Sequence, residues 1–460
     1  MEGRKILTIL LFVILVGGGA YLLAGTEPRM ALVMTVCVCG AVVALLRTEM
    51  AIYFLVVAML LSPQFSVGKT LLATRDRPVT LRLDDFLIVI ISVTWFIKNA
   101  FYKELNLIRS TPLNGAIWIY SLSCVLSTLV GVLTGNVEIR SGALFVLKYI
   151  EYFVIFWLVI NATHDEQQVR RYLAVMLAVA LIVSIVAIMQ IPSGQRVSAP
   201  FEGEKGEPNT LGGYLLFALS LLMGLIFCTA QYRKTLILLS GVIFIPFLFS
   251  LSRGSYLGFL LVVFLFPWLV RRKMLMLWVL FAVLVIVAFP KVLPRPVLDR
   301  VDYTFNQAPQ KAQVVLLGKR LDTSTSERYW AFAVALDAFI EKPLIGWGVT
   351  GWRFLDTMYF RTLVETGLLG MVSFLYLIYR IIQMAARTRK YFLGKNPFYF
   401  GLSSGFIAGT VGLLVHAIAA NTFIVVRIME PYWMLCAIIF ILPEIESQST
   451  VAAPDLASVA

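Results

Sequence analysis

Residues 210–230 read TLGGYLLFALSLLMGLIFCTA, 21 positions without one charged side chain. Wound as an α-helix at 1.5 Å per residue, such a run is about 31 Å long, the thickness of a bilayer's hydrocarbon core. Runs of this kind recur on both sides of it. Segments near 6–25, 30–46, 50–66, 85–99, 114–134, 142–161, 172–192, 235–251, 254–270, 274–290, 363–384, 399–420 and 429–443 complete a series of fourteen, with twelve as the lower count. The composition agrees: 60% of residues are hydrophobic and 14% charged, and the mean hydropathy is +0.86. A soluble globular chain carries about a quarter charged residues, and no soluble core absorbs this much apolar sequence. Alternating short strands are missing, so a closed β-barrel is not expected. The expectation is an all-α polytopic membrane protein, with one transmembrane domain over 1–446 and a small, polar tail at 447–460 that reads as disordered. Arg4 and Lys5 ahead of the first run resemble a signal peptide, but its length and the helices that follow favour an uncleaved first helix.

The net charge of +13 raises the question of nucleic acid. The basic residues sit in short inter-helix loops rather than on one patch, so no nucleic-acid partner is expected, and topology with anionic lipid or substrate explains them better. With Arg4 and Lys5 inside, strict alternation places Arg170/Arg171, Arg233/Lys234, Arg271/Arg272/Lys273 and Arg387/Arg389/Lys390/Lys395 all inside, as the positive-inside rule requires. One loop disagrees: residues 67–84 carry Lys69, Arg75, Arg77 and Arg82 yet fall outside, through a miscount among the first helices or through re-entrant segments. All five cysteines (Cys37, Cys39, Cys124, Cys228, Cys436) lie inside apolar stretches, which indicates neither a disulfide framework nor a metal knuckle.

The unusual polar residues collect in the segments that alternation puts outside. RVSAPFEGEKGEPNTLGGYL, from Arg196, brings Arg196, Glu202, Glu207 and Asn209 to the mouth of the membrane domain, and Asn209 or Thr210 also suits a helix cap. Arg253, in SLSRGSYLG, stands between two apolar runs, where a guanidinium is costly unless it meets an anion or reaches water; snorkelling to headgroups is the plainer use. The stretch 291–362 is too long for a structureless connection. Within it Arg328–Glu341 (RYWAFAVALDAFIE) has the spacing of a surface-lying helix, and Trp347 and Trp352 suit an interfacial anchor. DTMYFRTLVETG then gathers Asp356, Tyr359, Arg361 and Glu365 at the start of the next span. Asp356 suits either proton acceptance or a helix cap, and Glu365 sits one turn from Arg361. The last external turn holds His416, Asn421, Arg427 and Glu430, with His416 more in keeping with a hydrogen-bonded interior residue than with a ligand. Lys148 and Glu151 read as a buried structural pair.

Two arginines facing one cavity hold a diphosphate through forked, charge-assisted hydrogen bonds. With two histidines and no Asp-x-Asp pair, no divalent metal is indicated for that task and no cofactor is expected. No HExxH, GxSxG or GxxxxGK[ST] signature occurs.

The loop leading to GEPNTLGGYL, the SLSRGSYLG turn, and SERYWAFAVALDAFIEKPLIGWG followed by DTMYFRTLVETGLLG resemble the O-antigen ligase and polysaccharide polymerase superfamily of bacterial envelope biogenesis. The resemblance implies a metal-independent membrane glycosyltransferase of twelve to fourteen helices in the inner membrane. Its termini would be cytoplasmic and its site periplasmic, and it would use polyprenyl-diphosphate-linked glycan. Arg196 and Arg253 match the two external arginines that contact the donor diphosphate in that family. Asp356, or second Glu207, would be the base, with Asn209, Arg328, Tyr359, Arg361, Glu365, His416 and Arg427 as substrate contacts. Ligases that modify lipid A core commonly carry a His-Asn pair where Asp356 and Thr357 stand here, a departure that favours a repeat-unit polymerase. A chain-length regulator and export machinery are then further partners to expect. A ligase remains the alternative within the family, and a transporter or flippase of lipid-linked glycan the alternative of another class.

Overall fold

The computed structural model describes residues 35–457 apart from 36–38, 41, 45–46, 63, 70–77, 103–108, 201–205, 271–293, 308–312, 317–318 and 321. The chain forms α1 (Thr48–Leu61), a hairpin of β1 (Gln64–Lys69) and β2 (Pro78–Arg82), α2 (Leu83–Tyr102), α3 (Asn114–Leu133), α4 (Ile139–Ala162), α5 (Glu166–Gln190), α6 (Pro208–Cys228), α7 (Arg233–Phe249) and α8 (Arg253–Val270). Then come α9 (Arg295–Asn306), a second hairpin of β3 (Val315–Leu316) and β4 (Lys319–Arg320), α10 (Thr323–Glu341), α11 (Met358–Tyr391), α12 (Pro397–His416) and α13 (Val426–Ala457). Among the described residues, eight helices are long and apolar enough to cross a membrane: α3, α4, α5, α6, α8, α11, α12 and α13. This is an all-α polytopic membrane protein, with two short hairpins between its helices. The segments expected near 6–25 and 274–290, and most of 30–46, fall outside the described residues.

The bundle is built around α12, which packs against α6, α8 and α11. Lipid and side-chain methylenes are equally apolar, so close helix contact in a membrane comes from small residues that let backbones approach. Gly401, Gly405 and Gly409, one turn apart on α12, serve this purpose. A Cβ on Gly401 would lie 2.5 Å from the carbonyl oxygen of Gly224 on α6, and one on Gly224 would lie 2.1 Å from that of Gly401.

Alternating helices bring two sets of loops to opposite ends. At one end Arg170 lies over the Phe398 ring at 4.7 Å, Arg171 meets Glu49 at 3.4 Å, Arg380 donates to the Pro112 carbonyl at 2.8 Å, and Arg109 pairs with Glu444. At the other end Arg427 joins the carbonyls of Leu60, Ser62 and Pro200, and Met358 N donates to Ala417 O at 3.1 Å. The β1–β2 hairpin, joined to Ser62 and Arg82, therefore sits at the second end with the Arg196 loop. Arg75 and Arg77, two of its basic residues, lie outside the described residues.

Three elements differ from the sequence expectation. α10 begins at Thr323 rather than Arg328, because Asp322 caps it and accepts from Thr325 N at 3.2 Å. α13 runs on to Ala457 through the expected tail; Ser447 Oγ donates back to Glu444 O at 2.8 Å, and no glycine interrupts the stretch. Trp347 and Trp352 are partly buried against Ala335, Ala338, Leu355 and Val364, with ring centroids 4.8 Å apart, so they wedge α10 onto α11 rather than standing as an interfacial anchor.

Candidate functional site

The helix starts at the second end converge on the Arg196 loop. Arg196 donates from Nε to Ser250 O and from Nη2 to Asn209 Oδ1, both at 3.0 Å. Gln190, at the end of α5, clasps Ser198 through two 3.0 Å bonds, which fixes the loop's other strand. Arg196 thus bridges the end of α7 to the start of α6. Three residues after Ser250, Arg253 opens α8. The turn between them places Leu251 at φ 49, a conformation that costs a non-glycine residue about 1–3 kcal/mol and persists only where the surroundings hold it. Both arginines therefore flank one constrained turn, beside the N-termini of α6 and α8, whose dipoles favour anions.

Arg253 Nη2 meets Asp322 Oδ2 at 2.9 Å. Asp322 is fully buried, and its other oxygen caps α10, so one carboxylate ties the long loop to the membrane domain. Burial pushes this carboxyl up, but the hydrogen bonds from Arg253 and Thr325 outweigh burial and hold it below the usual carboxylate range. Arg328, further along α10, donates to Ala419 O at 3.4 Å and stands 3.9 Å from Asp356. Asp356 is 47% exposed. The N-cap of α11 falls on Thr357, one residue after Asp356, and its side chain makes no capping bond.

His416 closes α12 beneath this group, with Nδ1 2.7 Å from Thr422 Oγ1 and its ring against Gly213 of α6 and Gly254 of α8. It is a buried interior residue. Phe423, in the turn after it, accepts from Tyr152 OH at 3.2 Å, which ties this turn to α4. Tyr152 lies 13 residues, about 20 Å, into α4.

Arg196, Asn209, Arg253, Arg328, Asp356 and His416 are thus joined by shared neighbours. Glu207 is exposed at the N-cap of α6 and accepts from Thr210 Oγ1 at 3.0 Å. Tyr359 spends its hydroxyl on Leu414 O at 2.7 Å. Three residues expected as substrate contacts take structural roles. Arg361 and Glu365 form a buried pair at 3.0 Å, with Tyr149 OH and Thr350 N also donating to Glu365 at 3.3 Å. They guard a break in α11 at Gly367 (φ 66), where the Pro343–Gly348 backbone inserts: Trp347 N and Gly348 N donate to Val364 O and Glu365 O, and Leu368 N and Leu369 N to Pro343 O and Leu344 O. Arg427 is 3% exposed and donates to the carbonyls of Leu60, Pro200 and Ser62. Lys148 and Glu151 are the structural pair expected, 3.4 Å apart, with Asp85 as a further partner of Lys148. Asp322 is the residue the sequence reading passed over, although Asp-Thr-Ser-Thr ahead of a helical pattern is an N-cap signature.

One comparison bears on this arrangement. Residues 235–375 match the O-antigen ligase family. The match runs from α7 to α11 and takes in Arg253, Asp322, Arg328 and Asp356, while the Arg196 loop, His416 and Arg427 lie outside it. It agrees with the resemblance to the O-antigen ligase and polymerase superfamily and supports a membrane glycosyltransferase of that type. No curated protein matches the chain.

Proposed function

We propose that the protein transfers glycan from a polyprenyl-diphosphate carrier to an acceptor sugar hydroxyl, at the periplasmic face and with inversion at the anomeric carbon. The observation that carries this reading is the pair Arg196 and Arg253 on one turn at the N-termini of α6 and α8. Cations and helix dipoles preorganised at that point stabilise the charge that gathers on a departing diphosphate, where such groups help most. Arg253 already meets a carboxylate there, and a diphosphate offers the same charge-assisted bonds. Asp356, half-exposed and 3.9 Å from Arg328, takes the proton of the attacking hydroxyl.

Asp356 in the place of a His-Asn pair favours a repeat-unit polymerase over a ligase. Against a transporter, the broken end of α1 does not present its carbonyls to a mobile ion: tethered guanidiniums of Arg82 and Arg427 occupy them. Asp356→Asn in cells is expected to abolish polymer and to let lipid-linked repeat units accumulate. Normal chain length in that strain would overturn the assignment of the base.

A further inference from the structure

A second charged cluster takes no part in the proposed transfer. α1 stops at Leu61 after 14 residues, and two guanidiniums hold its last carbonyls. Arg82 donates to Met59 O and, at 3.3 Å, to Ser62 Oγ; Arg427 donates to Leu60 O at 2.9 Å and Ser62 O at 3.4 Å. Cations are favoured at a helix C-terminus. Arg82 also pairs with Asp84 at 2.9 Å, and Ser62 Oγ donates to the same carboxylate at 2.5 Å. The Arg82 backbone N–H donates to Asp85 at 2.7 Å, Asp85 pairs with Lys148, and Lys148 stands 3.4 Å from Glu151. Glu430, on α13, completes the group. It has no exposed surface, both carboxyl oxygens are buried without a hydrogen-bond donor, and its charged neighbours are Asp84, Arg82 and Glu151.

Among the described residues the charges do not balance: Arg82, Lys148 and Arg427 face Asp84, Asp85, Glu151 and Glu430, three cations against four carboxyl groups. An uncompensated charge inside a membrane domain is costly enough that the group takes up a counterion or a proton instead. Asp84 has Arg82 and Ser62, and Asp85 has Lys148 and a backbone N–H. Glu430 has no such donor, and Asp84 is among its charged neighbours.

We propose that Glu430 is a proton-binding site: its carboxyl group is neutral at pH 7, and its O–H donates to the Asp84 carboxylate. The consequence reaches the candidate site. Arg427 lies one turn before Glu430 on α13, the spacing at which an ionised glutamate draws an arginine. With Glu430 neutral, Arg427 instead spends its donors on Leu60, Ser62 and, at 2.7 Å, on Pro200 O, four residues beyond Arg196. The proton thereby keeps the Arg196 loop docked. The proton site stands apart from the proposed activity, and only this last consequence rests on it.

The test compares the full-length protein with its Glu430→Gln and Arg427→Gln variants, in detergent at pH 7. Infrared spectra of the wild type should contain a neutral carboxylic acid carbonyl band that Glu430→Gln lacks. Glu430→Gln, an isostere of the neutral acid, should melt at the wild-type temperature and keep the wild-type KM for lipid-linked donor. Arg427→Gln should raise that KM by roughly tenfold, the worth of one charge-assisted hydrogen bond. The proposal fails if the band is absent or survives in Glu430→Gln. It fails equally if Glu430→Gln unfolds or matches Arg427→Gln in its loss of stability, because Glu430 would then be ionised. A wild-type melting temperature that rises in sodium chloride but not in choline chloride would also overturn it, in favour of a metal cation. A lack of turnover in every variant, wild type included, would count against the proposed function and leave the infrared and melting readouts to decide the proton site.

Discussion

Arg253→Ala is expected to release the start of α10 from the membrane domain. The substitution leaves the Asp322 carboxylate with no exposed surface and without its 2.9 Å partner, while the Thr325 cap remains. Removing one member of a buried pair costs about 3–5 kcal/mol, because the remaining charge stays desolvated. Arg253 itself keeps 19% exposure, so water reaches part of the pair and the lower figure of about 3 kcal/mol applies. If local opening carries that cost, hydrogen exchange at the first α10 amides should accelerate by roughly 150-fold. Asp322→Asn provides the contrast. Asparagine caps a helix as well as aspartate does and still accepts from Arg253, so the loss should be about 1 kcal/mol and the acceleration less than about tenfold. Exchange that changes by less than about threefold in Arg253→Ala would refute the role given to the pair. Equal effects in the two variants would refute the charge argument.

Acid should act on the same contact. The folded Asp322 carboxyl titrates below its unfolded value of about 3.9, so the contribution is complete above about pH 4 and is lost as pH falls through the lower folded value. Protection of α10, corrected for intrinsic exchange, should be level at neutral pH and fall below about pH 4 in the wild type but not in Arg253→Ala. Arg196→Ala removes the bridge from Ser250 to Asn209 and one proposed diphosphate contact; donor KM should rise by about 10- to 100-fold, read from initial rates against donor concentration. Gly401→Leu drives a side chain into the Gly224 carbonyl and should destabilise α6 against α12 by about 1–3 kcal/mol or more, seen as a lower melting temperature. Tyr359→Phe removes one bond to Leu414 O and should cost about 1 kcal/mol of stability while leaving donor KM unchanged.

The membrane helices were legible because a bilayer demands a long apolar run and tolerates few exceptions. The segment read at 114–134 is α3 at Asn114–Leu133, and that at 210–230 is α6 at Pro208–Cys228. Arg196 and Arg253 stood out for the same reason, as cations beside apolar runs. What sequence could not supply was the partner of each charge. Arg361 and Glu365 look like a mouth-facing pair at one-turn spacing, yet a helix break at Gly367 and an inserted loop bury them. Arg427 sits in a polar turn with His416 and Asn421, but its acceptors are carbonyls some 230 and 370 residues away in sequence. Asp322 and Arg253 are likewise far apart along the chain, and only the local signal of Asp322, its capping position, was open to reading.

The most direct test of the glycosyl-transfer account uses the purified protein in detergent with a polyprenyl-diphosphate-linked glycan and no membrane compartments. The account predicts a longer or transferred glycan with release of the polyprenyl diphosphate, lost in Asp356→Asn. Intact donor after incubation with the folded wild-type protein, together with movement of that donor across the bilayer of reconstituted vesicles, would contradict it.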